Sequence, residues 1–186
     1  AQPHDAILLE DYDKGALSPD VIAGILEEAK KRSIPVSVDP KFRHFDLFQG
    51  VSLFKPNLKE LKEGLGLQWE VDDHAAKMKG IEDGLTALEQ SIQPDAILLT
   101  LSELGVRIRF SGQDIHHPAH PREILDVSGA GDTVIAVATL LLACGVSPSA
   151  LAAVSNLSGG LVCETPGVVP IDPNLLRQEI LRLPIG

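Results

Sequence analysis

The chain has 186 residues, of which 44% are apolar and 23% charged, a composition typical of a folded globular protein rather than a disordered one. Sixteen basic side chains stand against 26 acidic ones, so the formal net charge is −10. This balance disfavours non-specific binding to nucleic acid or to an anionic membrane, since both need a basic face. A nest of backbone N–H groups can still bind a phosphate on an acidic protein.

The length predicts a single α/β domain over residues 1–186. The longest apolar stretch, residues 134–144, is too short to cross a bilayer, and we expect a buried helix there. No secretory leader is recognisable, and Cys144 and Cys163 lack metal-ligand spacing. We therefore expect two reduced, buried thiols in a cytoplasmic protein.

Strand-like and helix-like segments alternate along the chain, which predicts a mostly parallel sheet covered by helices on both faces. The run at 6–9 has no preceding element to pair with, as in a chain that starts partway through a fold. The predicted strands are 6–9, 35–39, 51–54, 96–100 and a hairpin return at 106–110, followed by a short extended piece after the turn at 111–114. The predicted helices are 19–32, 57–65, 72–92 with interruptions at Gly80 and Gly84, 131–144, 147–163 and 172–183.

A group of small residues, Gly129, Ala130 and Gly131, precedes the apolar helix and is followed by Asp132. Small residues let the backbone approach a ligand closely, and the first N–H groups of a helix lack intrahelical acceptors, so this turn suits a phosphate. The Asp132 carboxylate could accept the proton of a hydroxyl that attacks the phosphorus. Asp is also a favoured N-cap residue, and spacing alone does not separate the two roles.

Two better-known phosphate-binding motifs are excluded. No G-x-x-x-x-G-K-[ST] run occurs, so the chain is not a P-loop protein. A dinucleotide fingerprint would need a glycine at position 134, where the chain has Val134, and this disfavours an NAD site.

Polar side chains follow two of the predicted strands. Asn57 and Glu60 lie three residues apart at a helix start, where their oxygens could hold Mg²⁺, directly or through water, or form an ordinary capping box. Thr100 and Ser102 follow the strand at 96–100, where an open parallel sheet forms its ligand crevice. A hairpin turn at Gly105 would also account for them.

Four motifs occur in a recognisable order: V-D-P-K at 38–41, P-N-x-x-E at 56–60, T-L-x-x-x-G at 100–105 and D-V-S-G-A-G-D-T at 126–133. On these motifs the chain resembles the ribokinase-like (phosphofructokinase-B type) carbohydrate kinases. Through D-Y-D-K-G at 11–15 and P-R-E-I-L at 121–125 it is similar to the bacterial D-glycero-β-D-manno-heptose 7-phosphate kinases of lipopolysaccharide-core synthesis.

The resemblance implies a three-layer αβα fold with a mostly parallel sheet, lacking the N-terminal part and the lid of full-length relatives. By the same resemblance, we expect this chain to lack the C-terminal nucleotidyltransferase domain that is fused to some heptose kinases. Ser102 departs from the glycine that usually follows T-L in the family. Tyr12 and Trp69 are single aromatic residues, and we expect them to serve in packing.

Each motif position carries an implied role. Asp132 is the implied catalytic base, and Lys14 the implied contact for the substrate phosphate or the transition-state charge. The resemblance further implies that the amides of Gly129, Ala130 and Gly131 form an anion hole, and that Asn57 and Glu60 support Mg²⁺ and the nucleotide phosphates. It implies a nucleotide site lined by Thr100, Ser102 and Gly105, with Asn156 near the adenine. It also implies a monovalent cation, K⁺, at Asp126 and Ser128.

The implied reaction is ATP-dependent phosphorylation of the anomeric hydroxyl of a heptose 7-phosphate, for ADP-heptose synthesis. Two alternatives are a kinase for another sugar or a nucleoside on the same fold, and a non-catalytic nucleotide-binding module. The expected partners are a sugar phosphate, ATP and Mg²⁺, without nucleic acid or membrane. Exposed sheet edges also favour a homo-oligomer.

Overall fold

A computed structural model of the chain describes residues 4–68 and 74–183. Within these residues six strands form one sheet in chain order, β1 to β6. The strands are β1 (Ile7–Glu10), β2 (Val36–Asp39), β3 (Leu53–Phe54), β4 (Ala96–Thr100), β5 (Val106–Phe110) and β6 (Gln113–His117). The helices are α1 (Pro19–Arg32), α2 (Leu58–Gly64), α3 (His74–Ile92), α4 (Ala130–Ala143), α5 (Pro148–Val162) and α6 (Pro173–Ile180), with 3₁₀ turns at Phe42–Leu47 and Ser102–Leu104.

The first four strands are parallel, whereas β5 and β6 return antiparallel as a hairpin. The parallel register aligns Glu10 with Asp39 and Phe54 with Ile97, so the carboxyl ends of β1 to β4 lie along one edge of the sheet. The predicted hairpin return after Gly105 is therefore confirmed. An antiparallel pair needs only this tight connection, whereas each parallel pair needs a crossover.

Successive strand residues face opposite sides of the sheet, and each side has its own core. One core contains Leu9, Val38, Phe54, Ile97 and Leu99 with the buried faces of α1, α2 and α3. The other contains Leu53, Leu98 and Ile108 with α4 and α5. The predicted three-layer αβα architecture is confirmed.

Three of the predicted helices begin at a polar N-cap residue followed by proline. The Ser18 hydroxyl accepts the Val21 N–H at the start of α1, and the Ser147 hydroxyl accepts the Ala150 N–H at the start of α5. The Asp172 carboxylate accepts the Asn174 N–H before α6. The starts of these three helices were predicted correctly because an N-cap is a local interaction that needs no tertiary partner.

The predicted interruption of α3 at Gly80 and Gly84 is wrong, since the helix is continuous from His74 to Ile92. A Cβ at Gly84 would lie 3.1 Å from side-chain atoms of Leu61 and of Leu67, so this glycine allows α3 to pack closely. Burial of the apolar face of α3 offsets the low helix propensity of glycine. The first residues of the predicted helix, and Trp69, lie outside the described residues.

The two cysteines differ in environment. Cys163 is buried, as predicted, but Cys144 is exposed at the C-terminal end of α4. The prediction for Cys144 is wrong because the apolar run ends there and the chain turns toward α5 at Gly145.

No helix in the described part of the chain is both long and apolar enough to span a membrane.

Gly105 is required by a close approach of two backbone segments. Its φ is +88°, and a Cβ there would lie 2.2 Å from the His117 carbonyl oxygen. At Gly112, φ is +73° and a Cβ would meet nothing within 4 Å. The hairpin thus offers one glycine needed for both its conformation and its small size, and one needed for conformation alone.

We expect Gly105→Ala to lower the free energy of unfolding by about 3–4 kcal/mol, because strain and overpacking add. Gly112→Ala, the matched control, should cost about 1 kcal/mol from strain alone. Urea denaturation of both variants measures the difference. Equal losses at the two positions would contradict the steric explanation.

Candidate active site

The carboxyl ends of the parallel strands and the N-terminus of α4 meet at one edge of the sheet, where α4 contacts β1 and β2. Glu10 and Asp39 are the last residues of β1 and β2. Lys55 follows β3, and Asp132 lies in the first turn of α4. An open α/β sheet binds its ligands at this edge, so these charged groups mark the candidate active site.

Gly129, not Asp132, is the N-cap of α4. It has φ of +78°, and a Cβ there would lie 3.0 Å from the Val168 side chain. Asp132 is the third residue of the helix, so the N-cap explanation for this carboxylate is excluded. Its position in the first turn, near the positive end of the helix dipole, suits a carboxylate that works beside an anion.

The three predicted anion-hole amides are not equivalent. The Ala130 N–H donates to the Val127 carbonyl at 3.2 Å, which fills its hydrogen-bonding capacity. The first i→i−4 bond of α4 runs from Thr133 to Gly129 at 2.9 Å. Gly131 and Asp132 therefore precede the helical ladder, and their N–H groups have no carbonyl acceptor within α4. The structure favours Gly131 and Asp132, rather than Ala130, as donors to an anion.

Asn57 and Glu60 form a complete capping box at the start of α2. The Asn57 side chain accepts the Glu60 N–H at 2.8 Å, and Glu60 Oε2 accepts the Asn57 N–H at 2.8 Å. The other Glu60 oxygen accepts a charge-assisted hydrogen bond from Lys41. The capping alternative is confirmed, and both oxygens of the buried Glu60 carboxylate already have protein partners.

Lys55 and Asp39 form a buried ion pair that the sequence patterns did not predict. Lys55 is only 2% exposed, and its Nζ lies 3.0 Å from Asp39 Oδ2. A Cβ on Gly131 would lie 3.8 Å from Lys55 Nζ, so the ammonium group lies directly beside the start of α4. The sequence feature that could have predicted this pair is a lysine and an aspartate at the ends of two otherwise apolar strands, because buried charges are rare unless they are paired.

Asp39 Oδ1 is buried and has no hydrogen-bond partner in the protein. Burial raises the pKa of the Asp39 carboxyl, although Lys55 opposes the rise. Burial, then the charges of Asp132 and Asp39, raise the pKa of Glu10. Burial opposes the charge of Lys41, but the hydrogen bond to Glu60 and the negative charges of Glu60, Asp39 and Asp132 together raise the pKa of its ammonium group. The excess of carboxylates makes this site attractive to a cation.

Tyr12 is 53% exposed, so the expectation that it serves in packing is wrong. Partial burial and the negative charge of the nearby Asp132 raise the pKa of Tyr12 to about 12. Sequence reasoning missed this electrostatic interaction because residues 12 and 132 are distant in the chain.

A cleft of about 590 Å³ lies along α2. Ser102, with φ of +53°, lines it together with the start of α2. Thr100 forms a bridge with Asn57, and the Thr100 N–H donates to the Pro56 carbonyl at 3.1 Å. The structure thus brings Thr100 and Ser102 next to Asn57 and Glu60, at the entrance to α2. Gly105 instead packs against the backbone of 117–119.

Three further predicted site residues, Asp126, Asn156 and Lys14, lie in other segments of the chain. Asp126 accepts the N–H groups of Ser128 and Gly167, each at 2.9 Å, and these hydrogen bonds lower the pKa of its carboxyl. The Asn156 amide donates to the Pro118 carbonyl at 2.8 Å, which ties α5 to the segment after β6. Lys14 is exposed in the loop after β1.

Comparison with solved structures agrees with this geometry. Phosphofructokinase-2 from Escherichia coli, in complex with potassium, superposes with a TM-score of 0.82 over 96% of this chain and 57% of that chain, at 18% identity. Arabidopsis thaliana ribokinase, complexed with ribose and ATP, gives a TM-score of 0.72 over 96% of this chain and 55% of that chain, at 18% identity. The fold is that of the ribokinase-like proteins.

The sequence comparisons identify a family within the proteins of this fold. The model of the pfkB family carbohydrate kinases matches residues 14–174, and the chain belongs to that family. It is 42% identical over 159 residues to the bifunctional protein HldE of Caulobacter vibrioides, covering 85% of this chain and 32% of that protein. The HldE protein of Azorhizobium caulinodans is 38% identical, covering 95% of this chain and 36% of that protein. The chain thus spans about a third of the length of these relatives.

We expect Lys55→Met to lower the free energy of unfolding by about 3–5 kcal/mol, because it leaves Asp39 buried without its partner. The double variant Lys55→Met/Asp39→Asn should regain most of that loss. Lys59→Met is the matched control, since Lys59 is 79% exposed and pairs loosely with Glu63 at 3.8 Å, and it should change stability by less than about 0.5 kcal/mol. Chemical denaturation of the three variants tests this, and a Lys55→Met variant as stable as the parent would contradict it.

Proposed function

We propose that the chain provides the nucleotide-binding and phosphoryl-transfer part of an ATP-dependent sugar kinase. The observation that carries the proposal is the position of Asp132 in the first turn of α4, beside N–H groups that have no acceptor within the helix. Membership in the pfkB carbohydrate kinase family supports the choice of a sugar hydroxyl as acceptor.

Asp132 is the proposed general base. Its carboxylate would take the proton of the sugar hydroxyl as that oxygen attacks the γ-phosphorus of ATP. The N–H groups of Gly131 and Asp132, with Gly129 shaping the turn, would donate to the phosphoryl oxygens as negative charge moves onto them. Lys55 would add a fixed positive charge beside Gly131. Catalysis is then mainly positioning and electrostatic stabilisation.

The residues of the site fit Mg²⁺ bound together with nucleotide phosphates. No three carboxylate, imidazole or thiol side chains converge on one point in residues 4–68 and 74–183, as a metal held by protein alone would need. The unpaired Asp39 oxygen and the capping-box residues Asn57 and Glu60 can instead hold water around an ion whose other ligands are phosphates. When bound, the ion would neutralise charge on the phosphates.

The nucleotide is proposed to lie along the cleft beside α2. Thr100 and Ser102 would contact it, with Gly105 shaping the turn and Asn156 on the side of the adenine. Asp126 and Ser128 are proposed to support a monovalent cation, K⁺. The hydrogen bonds from Ser128 and Gly167 that lower the pKa of Asp126 keep its carboxylate ionised, as a cation site needs.

The proposed sugar is D-glycero-D-manno-heptose 7-phosphate, phosphorylated on its anomeric hydroxyl for ADP-heptose and lipopolysaccharide-core synthesis. The similarity to the HldE proteins and the D-Y-D-K-G loop at 11–15 support this choice. Lys14, exposed in that loop, would contact the substrate phosphate. We propose a cytoplasmic homo-oligomer as the working form.

We expect Asp132→Asn to lower kcat by on the order of 100-fold to 10,000-fold, because an amide cannot accept the proton. Affinity for ADP should change little, since the backbone N–H groups remain. An ADP-release assay and calorimetric titration with ADP measure the two effects. Near-normal turnover of Asp132→Asn would remove the base assignment.

Two other functions are tested in the same assay. A panel of sugars, sugar phosphates and nucleosides separates a heptose kinase from a kinase for another acceptor. ADP binding without turnover of any acceptor would favour a non-catalytic nucleotide-binding module.

A further inference from the structure

Lys55 and Lys41 both contact carboxylates at the site, but they differ in how firmly they are held. The Lys55 side chain is 3% exposed and that of its partner Asp39 is 13% exposed, so water scarcely reaches this pair. The Lys41 side chain is 40% exposed, although the Glu60 side chain that it contacts is only 6% exposed. Separating Lys55 from Asp39 would leave two buried charges unpaired, whereas the Lys41 ammonium group can move into water. Lys41 is therefore the exchangeable cation of the two.

The two oxygens of Glu60 have different kinds of partner. Oε2 accepts the Asn57 N–H at 2.8 Å, and the Asn57 side chain accepts the Glu60 N–H in return, which fixes the carboxylate at the first turn of α2. Oε1 accepts a hydrogen bond from the Lys41 ammonium group. The backbone N–H at the helix start is fixed in place, but the lysine is carried on a flexible four-carbon stem. Departure of Lys41 would free Oε1 without turning the carboxylate.

A buried carboxylate oxygen without a partner is costly, so Glu60 Oε1 needs a donor or a cation whether or not a ligand is bound. Asp39 Oδ1 is a second buried oxygen at this edge of the sheet, and it has no donor among the described residues. Burial raises the pKa of Asp39 and Lys55 opposes the rise, while the charges of Glu60 and Lys41 act on it as well. The two oxygens are the kind of acceptor that holds the water shell of Mg²⁺.

We propose that Lys41 is an exchangeable counter-ion of the Glu60 carboxylate, which it holds until Mg²⁺ arrives with a nucleotide. Lys41 then yields Oε1 to the water shell of the ion, while the capping box keeps the carboxylate in place. The inference rests on the proposed function, in which Glu60 supports Mg²⁺ beside the nucleotide phosphates. Lys41 is thus a positioning residue, and it sets how strongly the binding of nucleotide depends on the ion.

Calorimetric titration of the 186-residue chain with ADP, once with excess Mg²⁺ and once with EDTA, measures this dependence as the ratio of two dissociation constants. In the parent, part of the effect of Mg²⁺ is spent on displacing Lys41. Lys41→Met removes the competitor, so the preference for ADP with Mg²⁺ should rise about 2-fold to 5-fold, as expected for an ion pair of intermediate exposure. Urea denaturation in EDTA should show that Lys41→Met is less stable than the parent, because Oε1 then lacks a partner.

Loss of a positive charge near a cation site strengthens metal binding even without direct contact, so the effect must be traced to Glu60. Glu60→Gln keeps the capping box, since glutamine also serves at the third position of a helix, but it presents no charge to Lys41. Adding Lys41→Met to Glu60→Gln should leave the preference for Mg²⁺ unchanged. Lys31→Met is the control for net charge, because Lys31 pairs with Glu27 on the exposed face of α1, and it should also change nothing.

An unchanged or lower preference for Mg²⁺ in folded Lys41→Met would overturn the exchange, and so would a rise that persists in the Glu60→Gln background. Circular dichroism shows whether each variant is folded. Should Lys41→Met fail to fold, Lys41→Gln replaces it, since its neutral amide still donates to Oε1 but holds it less strongly. A smaller rise is then expected, and the absence of any rise would overturn the exchange.

Failure of the proposed function gives a different result. A parent chain that binds no ADP in either buffer would overturn the nucleotide site, and this inference with it. ADP affinity that is the same in Mg²⁺ and in EDTA would overturn the role of Glu60 toward the ion. Affinity that depends on Mg²⁺ in the parent, and equally in Lys41→Met, would overturn the exchange and leave the proposed function standing.

Discussion

The buried ion pair of Lys55 and Asp39 is the constraint around which the candidate site is built. An ammonium group 2% exposed cannot stay charged at the edge of an apolar sheet unless a carboxylate lies beside it. The parallel register of β2 and β3 supplies that carboxylate at 3.0 Å. The pair lies beside Gly131, so the start of α4 meets a positive charge in addition to its own unpaired N–H groups.

Two further charged contacts extend this arrangement along the sheet edge. Lys41 and Glu60 join the end of β2 to α2, and Asp11 and His44 join the end of β1 to the 3₁₀ turn after β2. Each contact links segments that follow neighbouring strands. The loops at this edge are therefore held by side chains in pairs, which suits a site where small displacements are costly for chemistry.

The structural superpositions establish the fold, whereas the sequence matches establish the family. Superposition at 18% identity establishes the ribokinase-like architecture, and the family model establishes membership among the pfkB carbohydrate kinases. The curated relatives are about three times as long as the part they share with this chain.

The sequence by itself determined the alternation of strands and helices and the starts of the three helices that begin with proline, because these depend on neighbours within a few residues. It also located Asp132, but could not separate a cap from a base. The tertiary structure excluded the cap, since only the packed turn shows Gly129 as the N-cap. It alone also revealed Lys55 beside Gly131 and Asp39, since parallel strands bring together side chains that lie far apart along the chain.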